Sequence, residues 1–207
     1  MTSCLIDGDN NAPMFIFAHG AGAGMDHEFM QAVAAGLAAK GIKVVRFNFP
    51  YMVKRAEDGK KRPPDRAPKL LEAYQAIIAE HASSPVVIGG KSMGGRMASL
   101  LAQDSSVAGV ACLGFPFHPP GKPENYKGAH LAELSTPALI LQGERDTFGK
   151  KEEFADFALS DSIKVEFIPD GDHSFKPRKR SGFTEQQNIA LAVDHLAQFI
   201  LEVYGEK

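Results

Sequence analysis

The 207-residue sequence predicts a three-layer α/β arrangement of elements: a mostly parallel sheet between two layers of helices, with minimal or no cap. Two observations carry this α/β reading. Short runs rich in Val, Ile, Phe, Leu and Ala are apolar throughout rather than alternating, the pattern of strands buried on both faces. Between them, apolar residues recur at helical spacing, as right-handed crossovers between parallel strands require.

Met14 to Ala18 reads as the first strand and ends at His19-Gly20-Ala21-Gly22-Ala23-Gly24. A helix follows from about Asp26 as N-cap, with Phe29, Val33 and Leu37 on one face and Gly41 as its stop. Ile42 to Phe49 is a second strand, closed by Pro50. A polar stretch from Val53 to Pro68 leads to a helix carrying Leu70, Tyr74, Ile77 and Ile78. Pro85 to Ile88 is a third strand, turning through Gly89 to Gly95 into a helix with Met97, Leu100 and Leu101. Val107 to Phe115 is a fourth, followed by a Pro-rich segment from Pro116 to Pro123. Ala138 to Gln142 and Lys164 to Ile168 are the fifth and sixth. The last helix runs from about Glu185 to Tyr204, with Ile189, Val193, Leu196 and Ile200 facing inward. With no internal repeat or linker, the expectation is a single domain over 1–207.

Composition narrows the function classes. The balance of 23 basic against 25 acidic residues and the lack of interleaved aromatics disfavour a nucleic-acid partner. Cys4 and Cys112 are too few for a disulfide scaffold and read as reduced thiols. The N-terminal residues have no secretory pattern, and no apolar run is long enough for a membrane span. The expectation is a cytoplasmic protein acting on a small-molecule substrate through its own side chains, with no cofactor, metal or membrane partner.

The chemistry centres on Gly90-Lys91-Ser92-Met93-Gly94, a G-x-S-x-G pattern between a strand and a helix. A serine at such an apex projects its Oγ clear of the backbone. The residues two before and two after crowd each other, which glycine at 90 and 94 relieves. The following helix start turns free N–H groups and the positive dipole end toward developing negative charge. Two other motifs fail. Gly90-Lys91-Ser92 lacks the Gly-rich loop of a P-loop, since residues 85–88 are strand. Gly20-x-Gly22-x-Gly24 has Met25 at the position of the third glycine of a dinucleotide fingerprint.

Serine needs a base to attack at neutral pH. In the order nucleophile, acid, histidine, the acid follows a later strand and the histidine the last one. Asp146 lies just past the fifth strand and His173 just past the sixth, both at the sheet edge that holds Ser92. Asp172 is a weaker orienting acid, because neighbouring side chains on an extended segment diverge; Glu144 is the fallback. Of the other histidines, His81 and His195 lie on helices and His130 in a loop, whereas His27 and His118 are candidates to line a pocket. The oxyanion donors expected are the N–H of Met93 and that of Ala21, with Gly22 as the alternative.

These residues carry a resemblance. His-Gly-Ala-Gly at 19–22, Gly-Lys-Ser-Met-Gly-Gly at 90–95 and Pro-Phe-His-Pro-Pro-Gly-Lys-Pro at 116–123 make the chain similar to small, cap-less α/β-hydrolases of the dienelactone-hydrolase-like kind. The resemblance implies the α/β-hydrolase fold, a Ser92–Asp146–His173 triad and hydrolytic activity. It implies no substrate: dienelactone hydrolases proper carry a cysteine nucleophile, where this chain has Ser92.

The sequence leaves little material for a lid, so an open pocket favours small or accessible esters, thioesters or lactones. Lys54, Arg55, Lys60, Lys61, Arg62 and Arg66 share one loop, and Lys176, Arg178, Lys179 and Arg180 follow His173. Together with Lys91, these are either solvated positions or an electropositive rim that attracts an anionic substrate.

Overall fold

The computed structural model describes residues 3–205. Its seven strands are β1 (Cys4–Asp7), β2 (Met14–Ala18), β3 (Lys43–Phe47), β4 (Val86–Lys91), β5 (Val107–Leu113), β6 (Ala138–Gly143) and β7 (Ile163–Ile168). They form one sheet in the order β1-β3-β2-β4-β5-β6-β7, in which only β1 runs antiparallel to its neighbour. The order turns back between β2 and β4. Loops leaving these two adjacent strands diverge to opposite sides and open a crevice at their carboxyl ends, the usual ligand position in open α/β sheets.

Side chains alternate between two cores. Phe15 and Phe17 of β2 point to one face, where α1 (Glu28–Ala39) and α5 (Glu185–Val203) cover them with Val33, Leu37, Leu196 and Ile200. Ile16 and Ala18 point to the other, covered by α2 (Pro50–Asp58), α3 (Ala67–His81) and α4 (Met93–Leu100) through Met52, Tyr74, Ile77 and Met97. Each fully buried side chain of this size stabilises the fold by about 1.5–3 kcal/mol. Tyr74 also ties two central strands: its hydroxyl donates to Gly89 O (2.6 Å) and accepts from Gly89 N (3.0 Å), with Ile16 O 3.0 Å away.

The structure differs from the sequence reading at three places. Cys4–Asp7 adds an edge strand whose Leu5 and Ile6 are exposed, so no apolar pattern announced it. Pro50 starts a helix instead of only closing β3: it occupies the first helical turn, where its missing N–H costs nothing, and Gly59 ends the helix in the left-handed region (φ 70°). Only Tyr51 and Met52 of this helix are buried, which hid its period among the charges of 53–68. The cap of α1 is His27, not Asp26; its Nδ1 accepts from Phe29 N at 3.3 Å. Among the described residues, no helix is long and apolar enough to cross a membrane.

Candidate active site

Ser92 sits between β4 and α4 with φ 50° and ψ −114°, a conformation that costs a non-glycine residue of order 1–3 kcal/mol and clusters at functional sites. The surroundings hold it there. Ser92 N donates to Leu113 O of β5 (2.9 Å), and Ser92 O accepts from Arg96 N in the first turn of α4 (3.0 Å). A Cβ on Gly90 would lie 2.6 Å from Gly95 N and 2.7 Å from Ala18 O. One on Gly94 would lie 2.5 Å from Ala18 O and 2.6 Å from His19 O. Backbone fills both positions, so any side chain there would push the elbow off β2.

His173, in the loop after β7, places Nε2 2.8 Å from Ser92 Oγ and Nδ1 2.8 Å from Asp146 Oδ2. Asp146, in the turn after β6, is wholly buried. Its Oδ2 also accepts from Gln142 Nε2 (3.0 Å), and its Oδ1 accepts from Phe148 N (2.9 Å). These bonds satisfy the carboxylate and leave it one orientation. The Phe148 ring stacks on the imidazole at 4.2 Å between centroids, shielding it on one face. Serine hydroxyl, imidazole and carboxylate therefore form one continuous hydrogen-bonded line from the cleft into the interior.

Two further groups hold this line, and sequence reasoning passed over one of them. Gln142, wholly buried on β6, accepts from Phe115 N (2.8 Å) and donates to Asp146 and Gly149 O (3.1 Å). A lone polar residue ending an apolar strand was the signal that could have found it. Lys91 is nearly buried, and its Nζ donates to the His173 carbonyl oxygen and lies 5.4 Å from the centre of the Phe29 ring. Burial pushes its ammonium down to about 8, against the opposing pull of Asp146 and Asp172.

Gly20, Ala21, Gly22 and Ala23 face Ser92 across a cleft of about 350 Å³, whose other walls include His27, Phe29, Lys91, Phe148 and His173. The Tyr51 hydroxyl donates toward Ala21 O (3.0 Å) and Gly20 O (3.3 Å), fixing the peptide planes of this loop. Helix geometry leaves the Met93 N–H without an intrahelical acceptor, and neither it nor the Ala21 N–H has an acceptor among the described residues. Gly22 lines the cleft, and its carbonyl is held by Arg55 Nη1 (3.0 Å).

The remaining sequence candidates separate. His27 lines the cleft. His118 does not: it is buried elsewhere, with Nε2 2.9 Å from Glu153 Oε1 and Nδ1 2.9 Å from Pro119 O. His118 N donates to Phe148 O (3.2 Å) in the loop after β6, which holds this segment with the imidazole buried. None of the ten basic residues of the two charged segments lines the cleft, although Arg55 holds the Gly22 carbonyl in its wall. Arg178 pairs with Asp170, Arg62 with Asp58, and Lys176 lies 3.8 Å from Glu185; Lys54 is an exposed position on α2. No group of three or more His, Cys, Asp or Glu is arranged for a metal among the described residues.

A strand-to-helix serine at the switch point of a mostly parallel sheet, bonded to a histidine that a buried aspartate holds in turn, is the arrangement of a hydrolase-type α/β protein. The chain belongs to the α/β-hydrolase family, whose domain model matches residues 11–201. Its fold is also that of solved structures at low identity. Est1E from Butyrivibrio proteoclasticus, with ferulic acid bound, is 16% identical with a TM-score of 0.72, covering 99% of this chain and 96% of that one. Dienelactone hydrolase from Anabaena variabilis is 17% identical with a TM-score of 0.72, covering 96% and 90%. The thioesterase domain from the curacin biosynthetic pathway is 14% identical with a TM-score of 0.66, covering 96% and 94%. Comparison with curated proteins finds no match.

Proposed function

We propose that the protein is a serine hydrolase that cleaves a carboxylic ester, thioester or lactone through an acyl-enzyme on Ser92. The observation that carries this is the pair of 2.8 Å bonds linking Ser92 Oγ, His173 and Asp146, at a serine held in a strained apex. As Oγ attacks the substrate carbonyl, His173 Nε2 takes its proton, and Asp146 stabilises the resulting imidazolium through Nδ1–H. The N–H groups of Met93 and Ala21 stabilise the oxyanion of the tetrahedral intermediate. Collapse breaks the carbonyl–leaving-group bond, and His173 returns the proton to the departing alcohol or thiol. Water then repeats the sequence, losing a proton to His173 and releasing the acid and free Ser92.

The esterase and thioesterase names among the structural neighbours agree with this reading, and the open cleft suits accessible substrates. The free thiols of Cys4 and Cys112 support a reducing compartment such as the cytoplasm. The test is turnover over short esters, thioesters and lactones, with fluorophosphonate labelling, in the wild type and Ser92→Ala. The expected result is labelling at Ser92 and a fall of roughly 10³–10⁶-fold in kcat on its removal. Undiminished turnover in Ser92→Ala would overturn the assignment.

A further inference from the structure

The cleft at Ser92 does not end at its own walls. His27, Phe29 and Ser174, which line it, also line the start of a larger groove of about 680 Å³ between α1 and α5. Ala32, Gly36 and Ala39 form one bank, and Ile189, Ala190 and Val193 the other. The helices meet at Gly36, where a Cβ would lie 2.9 Å from Val193 Cγ1; this contact gives the groove a floor. Charge is confined to its margins: Glu28 and Glu185 near the cleft, and the Lys40–Asp194 pair (2.7 Å) at the far end.

We propose that the α1–α5 groove is the subsite for an unbranched aliphatic chain of the substrate, so that the enzyme prefers medium-chain to short-chain esters or thioesters. The inference rests on the serine-hydrolase reading and names its substrate class. Adjacency carries it: His27, Phe29 and Ser174 border both the cleft that holds Ser92 and the groove, so a chain attached at the scissile group has only these three side chains to pass. Its apolar banks carry no buried polar partner that would select a head group or a peptide. From Phe29 to Ala39 the bank runs ten helical residues, about 15 Å at 1.5 Å per residue, the span of an extended chain of about ten to twelve carbons. A surface groove covers such a chain on one side. Each added methylene then raises kcat/KM about twofold, half on a logarithmic scale of what full burial gives.

The test measures kcat/KM for 4-nitrophenyl alkanoates from two to twelve carbons and for alkyl acetates of the same lengths, placing the chain on the acyl or the alcohol side. The wild type should show a rise with length up to about ten carbons in one series, identifying which side occupies the groove. Ala32→Phe and Ala190→Phe, which put a ring into the groove from either bank, should lower the ten-to-two-carbon ratio about tenfold or more. A flat or falling length profile in both series, or a ratio untouched by both variants, overturns the proposal. Calorimetry of dodecanoate on Ser92→Ala separates this outcome from failure of the hydrolase reading. Binding that Ala32→Phe weakens supports the groove whatever the turnover; no binding overturns it. If no ester is cleaved although dodecanoate binds, the hydrolase reading fails and the aliphatic subsite stands.

Discussion

Two histidines end strands on the same edge of the sheet, and their surroundings give them opposite characters. His19, after β2, is wholly buried, and both ring nitrogens meet backbone: Nε2 accepts from Phe49 N (3.0 Å) and Nδ1 donates to Gly20 O (2.7 Å). Phe49 and Tyr51 pack edge-on against its ring, and burial pushes its pKa down to about 4. His173, after β7, meets a hydroxyl and a carboxylate and keeps 24% of its side chain exposed. An amide and a carbonyl can neither give up nor take a proton near neutral pH, so His19 is locked neutral and braces the Gly20–Ala21 loop. In the proposed mechanism, a hydroxyl that gives up its proton and a carboxylate behind Nδ1 make the same ring a base. The partners, not the ring, decide the role.

Breaking the carboxylate half of this contrast has the largest expected effect. Asp146→Asn keeps the side-chain shape but removes the charge that stabilises an imidazolium, so kcat should fall about 10³–10⁴-fold with little change in thermal unfolding. Turnover of the short-ester panel near the wild-type rate would show that the charge behind His173 does not matter.

The structural half is tested by stability. His19→Leu leaves the Phe49 N–H buried without an acceptor and should cost about 2–3 kcal/mol at pH 7 in urea unfolding. The pH dependence sharpens it. Below pH 6.5 the unfolded chain binds a proton at His19 that the fold refuses, so the wild type should lose about 3 kcal/mol between pH 6.5 and 4 through this residue. His19→Leu should lack that part of the slope. Parallel stability curves for the two proteins would mean that His19 charges freely inside the fold.

Lys91 braces the other loop and should give the smallest effect. Its ammonium is held down to about 8 by burial, so between pH 8 and 10.5 the unfolded chain binds more protons and this contribution to stability rises with pH. Lys91→Met should remove that rise and be more stable than the wild type at pH 7 by roughly 1–3 kcal/mol, net of the lost bond to His173. Guanidinium unfolding at pH 7 and 10 measures it. A variant less stable at pH 7 would show that the bond to the His173 carbonyl outweighs the cost of the buried charge.

The elements most legible in the sequence were those whose signal is local. The central strands are continuous apolar runs, and α3 and α5 repeat at helical spacing, because both of their environments are written in neighbouring residues. The elbow was legible because strain at Ser92 demands glycine at fixed offsets. The edge strand at Cys4–Asp7 and the helix at Pro50–Asp58 were not, since each buries too little to leave a period. His118 and the basic segments show the same limit from the other side. A residue near the site in sequence order can turn its side chain inward to Glu153 or outward to an ion pair.

By itself the sequence determined the layered parallel sheet, the strained serine turn and the order in which serine, aspartate and histidine arrive at one edge, because periodicity, turn chemistry and crossover handedness act over short stretches. Tertiary structure alone decided what those residues touch. Gln142 tying the Asp146 turn to Phe115, Lys91 reaching back to His173, the neutral lock between His19 and Phe49, and the groove between α1 and α5 join segments from 27 to roughly 160 positions apart. Contacts over such separations depend on how the layers pack, which no local pattern records.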